Sequence, residues 1–458
     1  MAILPPTIAG CHALIEEMYA LILKLQHKIE SLESGIVVNS QNSHRPPSSD
    51  GLTKKPSIER PKGGQVGGQK GHIGKNLKMV THADHIEHHF PQTCEACGVS
   101  LSACEMVMYE RRQVFELPVP RLIVTENQAF SCRCGCGQRN LGQFPIGVTA
   151  PVQYGHQAKT FASLLNQQYL LPFKKVSNLF EDLFSQPINV STVTNSNKAL
   201  YDELEVPEQA IKTAIEKSQV AHFDETGVHI NSRLNWLHVA CTDKLTYYFV
   251  HAKRGTPALM DTPSVLRNFK GRAIHDCWSS YFKFTDCLHG LCNAHLLREL
   301  QAATERGFDW ALTLKNQFKE LLQLKNKNQL TKKHFKKAQK KIKQLLLENQ
   351  NQLQTLSSLT KAQQKTLALV KRIRAHLKEF LAFAKHKNVP FTNNQAESDI
   401  RMVKLKAKIS GGFRTPMGAQ IFARIRGYIS TLKKQNINVF QQLANVLSHK
   451  TLIPICGK

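Results

Sequence analysis

The sequence is poor in acidic residues: 34 Asp and Glu stand against 61 Lys and Arg in 458 residues. It has no run of about 18 apolar residues, so we expect no membrane span. It has no Gly-x-Ser-x-Gly motif and no Walker-type loop, and so gives no sign of a serine hydrolase or of ATP use. Residues 1–32 have no basic stretch ahead of an apolar run, which predicts no signal peptide. We therefore expect a soluble intracellular protein.

The shortage of acids leaves a formal net charge of +27. A positive field of this size attracts polyanions, and phosphate backbones are the commonest polyanions inside cells. Membrane surfaces and heparin-like polymers are the alternative partners. The charge therefore favours a nucleic-acid-binding protein.

Changes in composition along the chain predict a multidomain α+β protein. The predicted segments are a leucine-rich helix (1–38), a flexible basic linker (39–78), a small β-rich zinc-binding module (79–150), a helical, helix-turn-helix-like region (151–205), an α/β catalytic domain (206–430) and a C-terminal segment (431–458).

The N-terminal helix has apolar residues at alternating spacings of three and four, at Ile15, Met18, Ile22, Leu25, Ile29 and Leu32. This heptad pattern predicts either a short coiled coil that makes the protein a homo-oligomer or a helix that packs on its own domain. The linker is rich in Pro, Ser, Gly and Lys and cannot bury enough apolar surface to fold. The linker is either a plain flexible tether or a basic segment whose Lys and Arg side chains lie along phosphates.

Two tight groups of cysteines predict a structural zinc site. Zinc takes four thiolate or imidazole ligands, usually in two closely spaced pairs. Cys94 and Cys97 form the first pair, and Cys132 with Cys136 is the predicted second pair, with Cys134 as the alternative. Cys104, His88 and His89 are spare candidates. Short alternating patterns around them, such as residues 121–125, predict strands.

The region 151–205 has two apolar stripes at helical spacing. They are Phe161, Leu164, Leu165 and Tyr169, then Val176, Leu179, Phe180 and Leu183. Pro187 interrupts the pattern and Ser191 is a candidate N-cap of a following helix. Two helices joined by a tight turn resemble a helix-turn-helix, although a helical hairpin without DNA contacts has the same pattern.

The pattern becomes β from residue 219. Residues 219–230, 235–242 and 245–251 are predicted strands, residues 257–269 a helix, and residues 272–276 another strand. Three strands, a helix and a strand is the opening order of the ribonuclease H-like fold. A mostly helical sequence follows.

Three acids suit phosphodiester cleavage by two metal ions. Mg²⁺ and Mn²⁺ prefer oxygen ligands, and paired ions activate the attacking oxygen and stabilise the leaving one. Asp224 lies late in the first predicted strand and Asp276 ends the strand after the helix. If these strands are neighbours, both carboxylates emerge at one sheet edge. Glu397 lies in the first turns of a helix that Asn393 or Asn394 can cap.

Each acid also has an alternative interpretation. A single Asp is more often a turn or cap residue than a metal ligand. Glu225 and Asp399 are rival ligands, although helical spacing should turn Asp399 away from Glu397.

Five motifs in one order resemble the transposases of insertion-sequence-66-type elements. They are HFDETG at 222–227, WLHVA at 236–240, CNAHLLREL at 292–300, NNQAE at 393–397 and KISGGFRT at 408–415. The resemblance covers essentially the whole chain, including the N-terminal helix, the linker and the cysteine module. Cys277 stands where we expect Gly, and Ser398 where Arg is usual.

The resemblance implies a DDE catalytic core on a ribonuclease H-like fold, with a helical insertion at about 305–385. Carried over by position, the catalytic triad is Asp224, Asp276 and Glu397, with two Mg²⁺ or Mn²⁺ ions. Double-stranded DNA, both element ends and target, is the implied partner, and accessory proteins of the same element are possible further partners.

Several basic residues are candidate DNA ligands. His295 and Arg298 share a helix face with Glu299 in the CNAHLLREL motif. Arg401, Lys404, Lys406 and Lys408 follow Glu397. Residues 311–375 hold 16 Lys and Arg against Glu320 and Glu348 alone, and we expect Lys332, Lys333, Lys336 and Lys337 to bind phosphates. A solvated polar or basic helix face is the alternative in each case.

These observations predict a transposase that cleaves element ends and joins the free 3′-OH to target DNA. A non-catalytic DNA-binding protein such as a repressor is one alternative, but it would not need three spaced acids. A structure-specific nuclease of the same fold, which lacks strand transfer, is another.

Overall fold

The computed structural model describes residues 76–454 and, ahead of them, residues 18, 19, 21 and 22. Most of the predicted leucine-rich helix and nearly all of the linker therefore lie outside the described residues. The chain divides into two compact units, and the division falls between Asn127 and Gln128. One unit contains residues 76–127, and the other contains the rest of the described chain.

Residues 76–150 contain little regular structure. Strands β1 (Ser131–Arg133) and β2 (Arg139–Leu141) form a two-stranded antiparallel hairpin. In the other unit, Thr93 and Ser100 form an isolated bridge around the Cys94 turn. The predicted strand at residues 121–125 is wrong, because this segment pairs with no other strand among the described residues. The description of the module as β-rich overstates its strand content.

Three helices follow the hairpin: α1 (His156–Gln167), α2 (Phe173–Phe184) and α3 (Val190–Glu203). The predicted apolar stripes supply their shared core, in which Leu165, Val176 and Phe180 are buried. Two details of the prediction were wrong. Tyr169 lies beyond α1 and is exposed, and α3 begins one residue before Ser191, with Asn189 at the N-cap. Helix α4 (Glu205–Glu216) leads into the sheet.

The central sheet has five strands in the order β5-β4-β3-β6-β7. They are β3 (Val220–Ile230), β4 (Arg233–Cys241), β5 (Thr246–His251), β6 (Arg272–His275) and β7 (Leu288–Leu291). Strands β3, β4 and β5 are antiparallel neighbours, whereas β6 runs parallel to β3 and β7 parallel to β6. The predicted strands at residues 219–251 and 272–276 are confirmed to within two residues at each end.

The hairpin between β3 and β4 turns on Asn231 and Ser232, both with positive φ (48° and 60°). Two consecutive residues of this conformation form the tight turn whose twist matches a β-hairpin. The predicted helix at residues 257–269 is largely wrong: only α5 (Thr256–Met260) forms. Pro263 lacks the N–H that a continuing helix needs, and the residues after it pack as a loop on the core through Val265, Leu266 and Phe269.

The segment after β7 is helical. It contains α6 (Asn293–Glu305), α7 (Asp309–Asn326), α8 (Lys332–Gln354), α9 (Lys361–Ala375), α10 (Leu377–Phe380) and α11 (Ala382–Lys385). Its apolar side chains form one core, which includes Phe318, Leu346 and Phe383 and reaches Ile274 of β6. The helical insertion is thereby packed against the sheet.

Three further helices complete the described chain: α12 (Asn394–Ser410), α13 (Pro416–Lys434) and α14 (Val439–Leu447). Ile400 and Val403 of α12 pack with Val228 and Leu237 of the sheet. Leu443 of α14 joins a core with residues of α1, α3 and the sheet. Within the described residues, no helix has the length and apolar character to cross a membrane.

The link between α12 and α13 depends on two glycines. Gly411 ends α12 in the left-handed conformation. Gly412 has φ 140°, and a Cβ atom there would lie 2.4 Å from the carbonyl oxygen of His229. The close approach lets Phe413 donate its N–H to the His229 oxygen at 2.8 Å. The glycines of the KISGGFRT motif therefore attach the end of α12 to β3.

Candidate active site

Asp224 and Asp276 lie in equivalent positions on neighbouring parallel strands. His222 of β3 is paired with Ile274 of β6. Asp224 is two residues beyond His222, and Asp276 is two residues beyond Ile274. Side chains two residues apart on an extended strand point to the same face. Asp224, and Asp276 directly beyond the end of β6, therefore lie at the same edge of the sheet.

Glu397 reaches this edge from the first turn of α12. Asn393 holds the N-cap position, as expected, but its side chain does not cap the helix. Its amide nitrogen donates to the carbonyl oxygen of Phe223 at 2.8 Å, and its amide oxygen accepts from Nδ1 of His222 at 2.9 Å. The side chain thus fixes the start of α12 beside β3, next to Asp224.

Asp224 lies in a buried, negatively charged environment. Burial is the main cause that raises the pKa of Asp224 well above its usual value, and the negative charges of Glu225, Asp276 and Glu397 raise it further. Such convergence of like charges on a half-buried carboxylate is unfavourable unless a cation compensates it. Carboxylate oxygens are the donors that Mg²⁺ and Mn²⁺ prefer. Among the described residues, however, the oxygens of the three acids do not all lie within 4.8 Å of one another.

Glu225, the first rival ligand, binds two other side chains. Its side chain is 2% exposed and accepts hydrogen bonds from Nε of Arg254 at 2.9 Å and from the Tyr281 hydroxyl at 2.6 Å. The Arg254 guanidinium lies over the rings of Trp236 and Trp278, at 4.9 and 4.3 Å from their centroids. Glu225 is therefore part of a network of side chains that joins β3 to Arg254 and Tyr281.

Asp399, the second rival, is buried on the other side of α12. Its carboxylate accepts hydrogen bonds from the hydroxyls of Thr246 and Ser430 at 3.1 and 2.8 Å, and from Nζ of Lys434 at 2.8 Å. These partners belong to β5 and α13. Asp399 thus points away from Glu397, as helical spacing predicted, and joins α12 to the core.

The CNAHLLREL motif forms the start of α6 and lies against Glu397. His295 Nδ1 is 3.8 Å from Oε1 of Glu397, and the Cys292 sulfur is 3.8 Å from the same oxygen. Glu299 forms an ion pair with Arg372 of α9. Arg298 is partly buried on the same helix. The structure therefore places His295 beside Glu397, whereas Glu299 connects α6 to α9.

The predicted phosphate ligands lie on exposed helix faces. Arg401, Lys404 and Lys408 follow Glu397 at spacings of four, three and four residues, so they continue one stripe along α12. All three are exposed. Lys406 is off this stripe and partly buried, and burial lowers its pKa. Lys332, Lys333, Lys336 and Lys337 are exposed in the first two turns of α8.

Each cysteine group forms a tight turn within its own unit. Gly98 donates its N–H to the carbonyl oxygen of Cys94, and backbone N–H groups of Cys97 and Ala96 lower the pKa of the Cys94 thiol. In the β1–β2 hairpin, hydrogen bonds from Cys136, first from its backbone, lower the pKa of Cys134. Both turns thus favour thiolates, and in the hairpin this feature falls on Cys134, the alternative to Cys132.

Three residues of this region were missed from the sequence: Arg254, Tyr281 and Arg372. Each lies far along the chain from the acid it contacts. Arg254 in a Lys-Arg-Gly loop and Tyr281 after a tryptophan have no local pattern that marks them. Only the paired strands β3 and β6 and the helical insertion bring them to the site.

Two family models match the chain. The model of the transposase IS66 family matches residues 154–421, a span that includes the sheet, the three acids and the helical insertion. A model described as a family of unknown function, DUF6444, matches residues 5–78. A search of the curated proteins found no match.

Proposed function

The chain belongs to the transposase IS66 family, and we propose that it binds the ends of a mobile element and catalyses DNA cleavage and strand transfer with the triad Asp224, Asp276 and Glu397. One observation carries this proposal: the parallel register of β3 and β6 aligns Asp224 with Asp276, and Glu397 contributes to the raised pKa of Asp224. Family membership implies a DNA-processing enzyme, and these three acids are the metal ligands that we propose for it.

We infer that the catalytic domain has the ribonuclease H-like fold. The supporting feature is the sheet, with three antiparallel strands followed by two parallel ones in the order β5-β4-β3-β6-β7. In this arrangement β3 and β6, the first and fourth strands of the sheet in chain order, lie side by side. A helix after the fifth strand then brings further groups to the same edge.

The three carboxylates would hold two Mg²⁺ or Mn²⁺ ions, which supply activation of the attacking oxygen and compensation of charge at the phosphorus. The protein itself orients the reactants. Asn393 fixes the helix that carries Glu397, and the network of Glu225, Arg254 and Tyr281 supports the strand that carries Asp224. Such positioning lowers the entropic part of the barrier.

Phosphate binding is the proposed role of the exposed basic residues. Arg401, Lys404 and Lys408 extend from Glu397 along α12, where they can hold the backbone on one side of the scissile bond. We propose that His295 and Arg298 on α6 contact the backbone as well. Contacts of this kind position DNA without reading its sequence. Sequence recognition is then the role of the helix-turn-helix-like region and the cysteine module.

We propose a structural zinc ion bound by the paired cysteines, with Cys94 and Cys97 as one pair. Cys132 and Cys136 are the second pair that we expect, with Cys134 as the alternative to Cys132. Metal analysis of protein purified without chelator should give about one zinc per chain. Folded protein with almost no zinc would contradict this assignment.

The heptad pattern of the N-terminal helix supports self-association, and the resemblance implies accessory proteins of the same element. We propose action on DNA in the cytoplasm, at the nucleoid. A non-catalytic repressor is not favoured, because it would need no aligned acids on neighbouring strands. A nuclease differs from a transposase in a measurable product, since only the transposase joins the cleaved end to target DNA.

The decisive experiment incubates purified protein with labelled element ends, target DNA and Mg²⁺ or Mn²⁺. We expect nicked ends and joined products from the unmodified protein. Asp224→Ala, Asp276→Ala and Glu397→Ala should each abolish both products and keep end binding, because each removes a metal-binding carboxylate but no phosphate-binding cation. Asp286→Ala, at an exposed aspartate before β7, is the control. Nicking by any triad variant would remove that residue from the triad.

A further inference from the structure

Three chemically different donor atoms converge where α6 begins. The Cys292 sulfur, a ring nitrogen of His295 and a carboxylate oxygen of Glu397 lie within 4.8 Å of one another. Oε1 of Glu397 is 3.8 Å from the sulfur and 3.8 Å from Nδ1 of His295. In the part of the chain that the structure describes, this is the one group of three His, Cys, Asp or Glu side chains with such close donor atoms.

The fold holds these atoms in place from two directions. Cys292 is the N-cap of α6 directly after β7, and its backbone N–H is bonded to the carbonyl oxygen of His275 at 2.9 Å. His295 lies one turn further along α6. The N–H of Asn393, the N-cap residue of α12, donates to the Cys292 sulfur at 3.1 Å. The two helix N-termini that carry the donors are thus joined at the sulfur.

The spacing suits a tetrahedral metal ion. Zinc lies about 2.3 Å from sulfur and about 2.0 Å from nitrogen or oxygen, so tetrahedral neighbours are about 3.3 Å apart for nitrogen and oxygen and about 3.5 Å apart for sulfur and oxygen. The two distances of 3.8 Å exceed these values by a few tenths of an ångström, which small rotations of the His295 and Glu397 side chains would close. The site is also accessible, because the side chains of His295 and Glu397 are 22% and 33% exposed. Water can supply the fourth ligand.

We propose that Cys292, His295 and Glu397 bind a thiophilic divalent cation such as Zn²⁺, Co²⁺ or Cd²⁺, at a site that shares Glu397 with the proposed oxygen-only site for Mg²⁺. Thiolate and imidazole ligands select these ions, whereas Mg²⁺ prefers oxygen. On binding, the Cys292 thiol loses its proton to water and the thiolate forms the bond to the metal. Burial raises the pKa of the Cys292 thiol to about 11, although hydrogen bonds from nearby backbone N–H groups lower it in part, so the thiolate forms only together with the bond to the metal.

A consequence for activity rests on the proposed function of Glu397. An ion bound by Cys292 and His295 takes the Glu397 carboxylate out of the Mg²⁺ site. Zinc at this position should therefore inhibit cleavage, although Asp224 and Asp276 remain in place. The site would act as a device that switches off the transposase when free zinc is abundant.

Binding is tested directly by cobalt absorption, without any activity assay. Full-length protein with zinc already in its cysteine module is titrated with Co²⁺, and the thiolate-to-cobalt charge-transfer band is followed. Unmodified protein and Cys287→Ser, a control at another buried thiol, should develop the band. Cys292→Ser should lack it. A band of equal intensity in Cys292→Ser would overturn the proposal.

A second variant keeps the proposal testable if Cys292→Ser fails to fold. His295→Gln keeps the sulfur, so it should retain a cobalt–thiolate band but require about 10–100-fold more Co²⁺ to develop it. An unchanged titration would remove His295 from the site. Thermal unfolding of each metal-free variant identifies any that has lost its fold.

Zinc inhibition of cleavage in excess Mg²⁺ tests the consequence. Relative to its own activity without zinc, Cys292→Ser should need about tenfold more zinc for half-inhibition than the unmodified protein does. Equal sensitivity would overturn the switch. Failure of the proposed function is recognised separately, because a protein without Mg²⁺-dependent cleavage can still show the Cys292-dependent cobalt band.

Discussion

The side-chain amide of Asn393 donates a hydrogen bond of 2.8 Å to the carbonyl oxygen of Phe223, the residue before Asp224. Asn393 is also the N-cap residue of the helix that carries Glu397 in its first turn. A single buried side chain therefore connects two members of the proposed triad that are separated by more than 170 residues. The contact replaces the usual capping role of an asparagine in this position.

Asn393→Ala should impair cleavage more than DNA binding. The substitution leaves the Phe223 oxygen and the His222 ring nitrogen without their partner, at a cost of about 1–3 kcal/mol in unfolding free energy. It also frees the start of α12 to move away from Asp224. Denaturant unfolding and single-turnover cleavage measure the two effects. Asn394→Ala is the control at the next, exposed residue; equal effects of the two variants would refute the role of Asn393.

Glu397 and Asp399 should differ sharply when they are replaced by their amides. Asp399 is 8% exposed and pairs with Lys434, which is 10% exposed. Asp399→Asn leaves that ammonium buried without its counter-charge, which should lower the unfolding free energy by about 3–5 kcal/mol. Glu397→Gln should have little effect on unfolding and abolish cleavage. If Asp399→Asn unfolded normally but failed to cleave, Asp399 would be the better candidate for the triad.

The local sequence pattern predicted the elements whose formation depends on residues close together in the chain. Strands β3 to β5 follow from their apolar alternation, and the Asn231-Ser232 turn suits a tight hairpin. The helix predicted at residues 257–269 failed because Pro263 overrides the apolar spacing. The strand predicted at residues 121–125 has no partner strand, and alternation alone cannot supply one.

The candidate site could be predicted only as far as its acids. Asp224, Asp276 and Glu397 lie in motifs, and the structure brings the elements that carry them together. The partners of Glu225, namely Arg254 and Tyr281, depend on contacts across 29 and 56 residues. The placement of Cys292 beside Glu397 spans 105 residues. No periodicity encodes such contacts, because they follow from how the insertion packs on the sheet.

The buried side chain of His238 should lower the unfolding free energy in acid. It is buried on β4 and stacked on Phe249 at 4.7 Å, and burial lowers its pKa to about 4. Because the folded state resists protonation that the unfolded state accepts near pH 6.5, the full contribution is present above about pH 6.5 and is lost as the pH falls to about 4. The loss should approach about 3 kcal/mol.

Denaturant unfolding between pH 4 and 7 measures this loss. His238→Leu removes the titrating group and should flatten the pH dependence across this window. Part of the slope should remain, since burial also lowers the pKa of His275, to about 3. An unaltered slope in His238→Leu would show that His238 is not protonated on unfolding.

The first two turns of α8 carry four exposed lysines, Lys332, Lys333, Lys336 and Lys337. This end of a helix has a partial positive charge, so cations there are unfavourable by about 0.3–1 kcal/mol each at low salt. The first turn contains no acid to offset them. A polyanion bound at this end would reverse the penalty, and we expect this surface to contact DNA phosphates.

Salt dependence distinguishes a phosphate-binding surface from a solvated one. Each phosphate neutralised releases counterions and adds about −0.9 to the slope of log affinity against log salt. Replacement of all four lysines by Gln should therefore flatten the slope by up to about 4 units. Binding to unrelated DNA should weaken about as much as binding to element ends, because phosphate contacts carry no base information.

Replacement of the same four lysines by Arg is the matched control. It keeps the positive charge and should leave the slope unchanged, so a loss seen only with Gln reports the charge and not the altered helix. Circular dichroism should show intact helices in both variants, since Gln and Arg are good helix formers. If the Gln variant kept the original slope, the lysines of α8 would serve solubility. The phosphate contacts would then belong to the basic stripe of Arg401, Lys404 and Lys408 and to the N-terminal modules.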